Sequence, residues 1–303
     1  MKDYPLVSIV VITYHSREYV IDTLNSILQL TYKNIELVIS DDGSNDDTVK
    51  VCSEWLKING ASFVNFKIIT NNVNTGIPAN CNRGIKGSSG EWIKLIAGDD
   101  LLVKDSVEHF VSLILNDPTI EVVYSKSLGF IGNISDSEYA THKFPGYAKF
   151  YSSDAKKQYK MLMRRNYCDG PTIFFKKPIF DYVGGFDEKF RFEDHPFALK
   201  LTKNNIKLYY LDRFTVYYRE NIVSITRSDT DRLFSNFYLD VEKFTKAEIF
   251  PHCNILIRTA KRAEFARLDF FERNGINKKN RINRLLFLST YYMNPLHIYN
   301  KFF

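Results

Sequence analysis

An α/β fold, a mostly parallel central sheet flanked by helices with a helical C-terminal region, is what this chain predicts, on three observations. Short continuous apolar runs rich in β-branched residues recur through the first half, as in strands buried on both faces. Stretches with helical spacing fill the intervals between them. The connections are short, which marks sequential strands as parallel neighbours under a helical cover.

The elements follow in order. Leu6 to Ile12 is a strand, and Glu18 to Leu30 has helical spacing through Val20, Ile21, Leu24, Ile27 and Leu28. Ile35 to Ser40 is a second strand. Asp41-Asp42-Gly43-Ser44-Asn45-Asp46-Asp47 then turns into a helix from Thr48 to about Asn59. Phe66 to Ile69 is a third strand, Ala79 to Gly87 a helix, and Trp92 to Ala97 a fourth strand. A helix from Asp105 to about Leu115 and a strand Glu121 to Tyr124 continue the pattern. Gly129 to Ser153 has weak periodicity and scattered Gly, Ser and Pro, so it is expected as a loop or a mobile insertion. Thr172 to Phe175 and Leu208 to Leu211 are expected strands, Pro178 to Val183 and Glu193 to Lys203 helices. Beyond Arg227 the chain reads as helical to its end.

Ligands of such sheets sit at the carboxyl ends of the strands. Asp41, Asp42, Asp99 and Asp100 all fall there. Carboxylates crowded on one rim repel unless a cation or hydrogen-bond donors join them. Trp92 to Asp100 is the sharpest case: a buried strand stops at Gly98 and presents adjacent carboxylates. Mg²⁺ or Mn²⁺, held by one or two carboxylates with water and phosphate completing the shell, needs that arrangement. Turn chemistry alone also accounts for Gly-Asp-Asp. Helix capping accounts for Asp41, Ser44 and Asn45.

Bulk composition is ordinary: 303 residues, 45% hydrophobic and 25% charged, enough for one large or two modest domains. No apolar run approaches the ~20 residues of a membrane span. The N-terminus lacks the apolar core of a signal peptide. Cys52, Cys81, Cys168 and Cys253 are widely spaced, with no zinc pattern, and read as reduced thiols of a cytoplasmic protein. Asn133-Ile134-Ser135 is a glycosylation acceptor only in a secreted chain. The +6 charge is uneven: from Pro251 onward ten cations face three anions, which places +7 there and −1 on the rest.

These fragments, taken in order, resemble a family-2 glycosyltransferase with the GT-A fold. The matching pieces are Val7 to Tyr14, Ser40 to Asp46, Asn74-Thr75-Gly76 through Asn82-Arg83-Gly84-Ile85, Gly98-Asp99-Asp100, Gly184-Gly185-Phe186-Asp187 and Glu193-Asp194. They cover roughly residues 5 to 215. The resemblance implies a catalytic domain over 1–220, with a nucleotide-sugar half to about 125 and an acceptor half over about 126–220. A helical, basic region over 221–303 follows it.

It further implies an inverting, metal-dependent enzyme that moves a sugar from a nucleoside diphosphate sugar, UDP favoured, to a glycan or lipid-linked acceptor in bacterial surface polysaccharide synthesis. Asp100 then ligates Mn²⁺ or Mg²⁺, and Asp99 reaches the ribose or assists. Asp42 accepts a hydrogen bond from the nucleobase, Tyr14 lies beside the base with Thr13 nearby, and Asn82 belongs to the donor pocket. Asp194 is the catalytic base; without the resemblance, Glu193-Asp194 reads as a pair complementing a helix dipole. Glu193 and Asp169 are the acceptor-side candidates, while His195 and Gly184-Gly185-Asp187 are read as structural. One departure stands out. Relatives often carry Arg where this chain has Cys81, which leaves Arg83 or the metal to meet the diphosphate.

The segment from Asn280, with Arg281, Arg284, Leu285, Leu286, Leu288, Tyr291, Tyr292 and the terminal Phe302-Phe303, mixes cations with large apolar groups. Two readings stand side by side: a helix at an anionic membrane interface, or one packed on the protein or on a second subunit. Nucleic acid is not expected, since no recognition motif accompanies the charge. A non-catalytic nucleotide-sugar or glycan-binding protein on the same fold is the competing function.

Overall fold

The computed structural model describes residues 4–132, 140–141, 147–220 and 231–293. The sequon, Arg227, Lys301 and the terminal Phe302-Phe303 lie outside them. The chain forms two compact units, Met1–Arg219 and Glu220–Phe303.

The first unit begins with β1 (Val7–Thr13), α1 (Val20–Leu28), β2 (Ile35–Asp41), α2 (Thr48–Asn59), β3 (Asn65–Thr70), α3 (Ile77–Gly87) and β4 (Trp92–Ala97). β3, β2, β1 and β4 are adjacent in that order and all parallel. Val7, Ile9, Val10 and Val11 of β1, and Leu37, Val38 and Ile39 of β2, are buried on both faces of the sheet. Each such side chain contributes roughly 1.5–3 kcal/mol relative to exposure. α3 begins two residues earlier than expected because Pro78, in its first turn, is preset for helix and needs no hydrogen-bond partner.

The chain continues through β5 (Leu101–Leu102), α4 (Ser106–Asn116), β6 (Val122–Phe130), β7 (Ala140–Thr141), α5 (Tyr147–Tyr151), α6 (Ala155–Leu162), β8 (Phe174–Lys176), α7 (Lys177–Val183), α8 (Asp194–Lys203) and β9 (Tyr209–Arg219). The sheet runs on from β4 as β8, β6, β9 and β5, with β7 on β6. Only β6–β9 is parallel in this half. Trp92, Phe174 and Phe110 stack in sequence, at 5.0 and 4.8 Å between centroids, and join β4, β8 and α4.

Three expectations are corrected here. β6 and β9 extend far beyond Tyr124 and Leu211. Their continuations carry Lys126, Asp212 and Arg213, which end the apolar run, yet the strands stay paired through register shifts between Tyr124 and Ser127. The Ser125 and Thr215 hydroxyls meet at 2.5 Å in the interior of that ladder. Gly129 to Ser153 is not all loop, because it holds the end of β6, β7 and α5. α5 is anchored by stacking of Phe150 on Tyr167 and of Tyr151 on Tyr210, both at 4.7 Å. The two-residue β5 had no readable period.

The second unit contains α9 (Phe237–Phe244), which leads into a π-type turn at Thr245–Ile249, then α10 (Ile255–Arg273) and α11 (Arg281–Tyr292). Asn254 and Asn280 cap α10 and α11, each accepting a backbone N–H three residues on, at 2.9 and 2.8 Å. Tyr238, Phe265 and Leu268 form a small core with Phe234, Val241 and Phe287. Among the described residues, no helix is long and apolar enough to cross a membrane.

Candidate functional site

The ends of β1, β2 and β4 meet because their registers align Thr13 with Asp41 and Ile12 with Ala97. Beyond these ends the backbone is tied by Asp42 N–H to Thr13 O at 3.0 Å and Gly98 N–H to Ile12 O at 2.9 Å. A Cβ on Gly98 would lie 2.8 Å from Thr13 Cγ2, so glycine lets the Asp99-Asp100 turn close on β1. Thr13 donates its hydroxyl to Asp41 at 2.7 Å. Tyr14, 46% exposed, stacks on His15 at 4.1 Å.

Asp41 does not cap α2. It accepts the Ser44 N–H and hydroxyl at 2.9 and 2.6 Å and so closes the turn itself. Ser44 and Asn45 do not cap the helix either. Asp47 sits at its N-terminus without a side-chain bond, while Asp46 takes the N–H and hydroxyl of Thr48. Gly43, at φ +78°, passes within contact of the Val73 backbone, where a Cβ could not fit.

Asp42 is buried. It accepts from Thr75 N–H at 2.9 Å and Gly76 N–H at 2.8 Å on one oxygen, and from the Thr75 hydroxyl and Arg83, both at 2.7 Å, on the other. Burial alone would raise its pKa, but those bonds from Thr75, Arg83 and Gly76 outweigh it and hold the carboxyl below its usual range. Arg83 therefore stands at Asp42, where its ion pair is made. Asn82, expected in the donor pocket, is bonded within the chain. Its amide donates to Phe186 O at 3.0 Å and Glu188 Oε1 at 2.7 Å and accepts Phe186 N–H at 2.9 Å, which clips the 184–188 turn to α3.

Asp100 is buried, and its Oδ1 accepts the Arg219 N–H at 2.9 Å. Burial, then the neighbouring Asp99 charge, push its pKa well up, against the opposing Arg219 N–H and Lys94. Arg219 does more than this. Its guanidinium donates to Asp99 O at 2.9 Å, Gly132 O at 2.6 Å and Asp22 Oδ2 at 3.1 Å, and lies between the rings of Tyr19 and Phe130. Sequence reading missed Arg219, because nothing local distinguishes it from any strand-end arginine.

Lys94 was also missed, although a lysine inside an apolar strand is a visible signal. It is fully buried and donates to Leu95 O at 2.8 Å and Pro171 O at 2.5 Å. Burial lowers its pKa to about 7, opposed by the charges of Asp100 and Asp169. Lys94 thus binds β4 to the turn at Gly170–Thr172, where Asp169 accepts the Ser127 hydroxyl at 2.5 Å. That turn packs on the start of α8. A Cβ on Gly170 would sit 3.2 Å from Asp194 Cβ and 3.5 Å from Glu193 Oε1.

Asp194 accepts Asn166 Nδ2 at 2.6 Å and the His195 N–H at 2.7 Å. Asn166 is a third residue that sequence reading missed, and like Arg219 it carries no local signal. Burial, followed by the Asp194 charge, raises Glu193 to about 7. Asp194 is raised by burial too, with Asp169 adding and Asn166 and His195 opposing. His195 is buried and meets Leu162 O at 2.8 Å, the structural role expected of it. Gly184 and Gly185 adopt left-handed backbone at the end of α7, as a turn there requires.

Thr13, Tyr14, Asp42, Asp99 and Asp100 therefore lie at the carboxyl ends of β1, β2 and β4, with Asn82 apart on α3, and Asp169, Glu193 and Asp194 lie around one turn. Asp169 lies within electrostatic reach of both Asp100 and Asp194. Among the described residues, no three His, Cys, Asp or Glu side chains form a metal cluster. The pair Asp99-Asp100 nonetheless fits a cation that takes most of its ligands from substrate phosphate and water. A positive charge there would also offset the burial and the Asp99 charge that raise Asp100.

Comparison with known proteins shows what the whole chain is similar to. An uncharacterized glycosyltransferase of Haemophilus influenzae is 30% identical over 140 residues, 44% of this chain and 42% of the relative. The putative glycosyltransferase EpsH of Bacillus subtilis is 26% identical over 246 residues, 77% of this chain and 66% of its own length. The poly-beta-1,6-N-acetyl-D-glucosamine synthase of Staphylococcus epidermidis is 26% identical over 64% of this chain and 45% of its own. The chain spans about half the length of the curated relatives it matches. The crystal structure of S. aureus TarS 1-349 in complex with UDP-GlcNAc shares the fold, with a TM-score of 0.56 at 21% identity over 71% of this chain and 58% of that one. The family described as Glycosyl transferase family 2 matches residues 8–180, more than half of the sequence, and the chain belongs to it.

Proposed function

We propose that this chain is an inverting, divalent-metal-dependent glycosyltransferase that uses a nucleoside diphosphate sugar, UDP favoured, and a glycan or lipid-linked acceptor of surface polysaccharide synthesis. The observation that carries the reading is the placement of two carboxylate groups on one sheet. Asp42 stands at the end of β2 and Asp99 and Asp100 at the end of β4, on either side of β1, and Asp194 stands behind the turn that Lys94 ties to β4. The named relatives, among them a polysaccharide synthase and a UDP-GlcNAc-bound structure, support the donor and pathway class.

In this reading Tyr14 and Thr13 flank the nucleobase and Asp42 receives its edge. Both Asp42 oxygens already hold two donors, so the base displaces one of them, and Arg83 on its long side chain is the one able to move. Asn82 acts on the pocket through the 184–188 turn it clips. Asp99 receives the ribose, and Asp100, with Asp99 beside it, holds Mn²⁺ or Mg²⁺. The bound cation supplies Lewis-acid stabilisation of the diphosphate leaving group.

Asp194 removes the acceptor hydroxyl proton as that oxygen attacks the anomeric carbon from the face opposite the diphosphate. Burial raises its pKa, which strengthens it as a base. Asn166 and the His195 N–H each hold one oxygen of Asp194 and so fix the plane of its carboxylate. Glu193 and Asp169 border the acceptor. An α-linked D-sugar donor would give a β-linked product.

The test is nucleotide release from a panel of UDP-sugars, with short glycans as acceptors, by the wild type and by Asp194→Asn. The reading expects turnover with at least one donor and a loss of about 10²–10⁴-fold in the variant, with nucleotide affinity kept. Equal turnover in the variant would remove Asp194 as base. Binding of a UDP-sugar without any turnover would favour a non-catalytic binding protein.

A further inference from the structure

We infer that α11 is an interfacial helix that docks on an anionic lipid surface. Within the second unit α11 has two faces. Asn283, Phe287 and Tyr291 turn inward. Phe287 stacks on Phe234 at 5.6 Å and meets Phe271 edge-on at 5.4 Å, while Arg267 lies 4.3 Å above it. The opposite face carries Ile282, Leu285, Leu286, Ser289, Tyr292 and Met293, at helical spacing, so five large apolar side chains form one stripe.

Those five are 46% to 77% exposed. Scattered apolar residues on a surface need no explanation, but a continuous helical stripe does. Its N-terminal end is ringed by Lys278, Lys279, Arg281 and Arg284. No Asp or Glu occurs from residue 274 to residue 303.

Charge decides what covers the stripe. A second copy of α11 would bring its own cations, against the first cluster in parallel pairing and at the far end of the stripe in antiparallel pairing, with no acid in either case to offset them. An anionic bilayer offers both partners at once: acyl chains for the stripe and headgroup charge for the cations. Cations at the rim of an apolar face also reach phosphate level by extending their stems.

The experiment is vesicle flotation of the full chain, with phosphatidylcholine alone and with phosphatidylglycerol added, for the wild type, Leu285→Asp/Leu286→Asp and the control Ile58→Asp. Ile58 is exposed in the first unit, so the control adds a charge without touching the stripe. Expected is flotation of the wild type and control with anionic vesicles only. It should weaken as salt rises and fall about tenfold or more in the double variant. Circular dichroism and nucleotide binding should be unchanged in all three, which separates this inference from the catalytic reading. Two results would overturn it: a wild type that stays unbound on anionic vesicles, or a double variant that floats as well as the wild type. A concentration-dependent rise in mass by light scattering, abolished in the double variant, would assign the stripe to a second copy instead.

Discussion

Glu193 and Asp194 are neighbours in sequence and in charge, and their protons are not independent. Burial and the adjacent carboxylate move Glu193 from about 4.5 to about 7, so a proton persists on the pair well above the ordinary carboxylate range. A base must be deprotonated to act, so activity is expected to rise with pH through this window. Glu193→Gln removes one of the two charges and leaves Asp194 easier to ionise. The acid limb of kcat/KM should therefore move to lower pH in Glu193→Gln, with much of the plateau rate retained. An acid limb that stays in place would separate Glu193 from the base. The stability sign runs the other way: a carboxyl raised on folding stabilises below its unfolded pKa and loses that contribution as pH climbs toward 7.

At the scale of elements, the key joint is the end of β9. Arg219 reaches Asp100 through its backbone and Asp99 O, Gly132 O and Asp22 through its guanidinium. That fork holds the Asp99-Asp100 turn against the end of β6, and it rests between two rings rather than in water. Arg219→Lys keeps the charge but loses the fork geometry. Hydrogen bonds that involve a charged group contribute about 1.5–3 kcal/mol, so metal-dependent UDP affinity should fall roughly ten- to a hundredfold. Nucleotide affinity equal to wild type, in a folded variant, would reduce Arg219 to a packing residue.

This joint also marks where sequence reading stopped. β1, β2 and β4 were legible because both faces of each strand are buried and apolar residues dominate them, with Ser8, Glu36 and Lys94 as single polar interruptions. β6 and β9 were legible only at their starts, since one flank of each is wet and carries Lys126, Asp212 and Arg213. The carboxylates of the site were visible as motifs. Arg219, Asn166 and the bonding of Asn82 were not, because each acts on a partner many residues away. Asp41 and Ser44 suited a helix cap by residue type, and only the geometry distinguishes a cap from a self-closed turn.

Across the whole molecule, two units divide different kinds of surface. Met1–Arg219 gathers the carboxylates at the strand ends, and Glu220–Phe303 carries the excess of cations. The central claim concerns the first unit: the rim at Asp99-Asp100 binds a nucleoside diphosphate through a divalent cation. The most direct measurement is calorimetric titration of UDP, with and without Mn²⁺, on the wild type and on Asp100→Asn. The amide can still accept the Arg219 N–H, so the variant tests charge rather than folding. The account predicts UDP binding that needs Mn²⁺ in the wild type and is lost in the variant. UDP binding that ignores Mn²⁺, or survives Asp100→Asn unchanged, would contradict it.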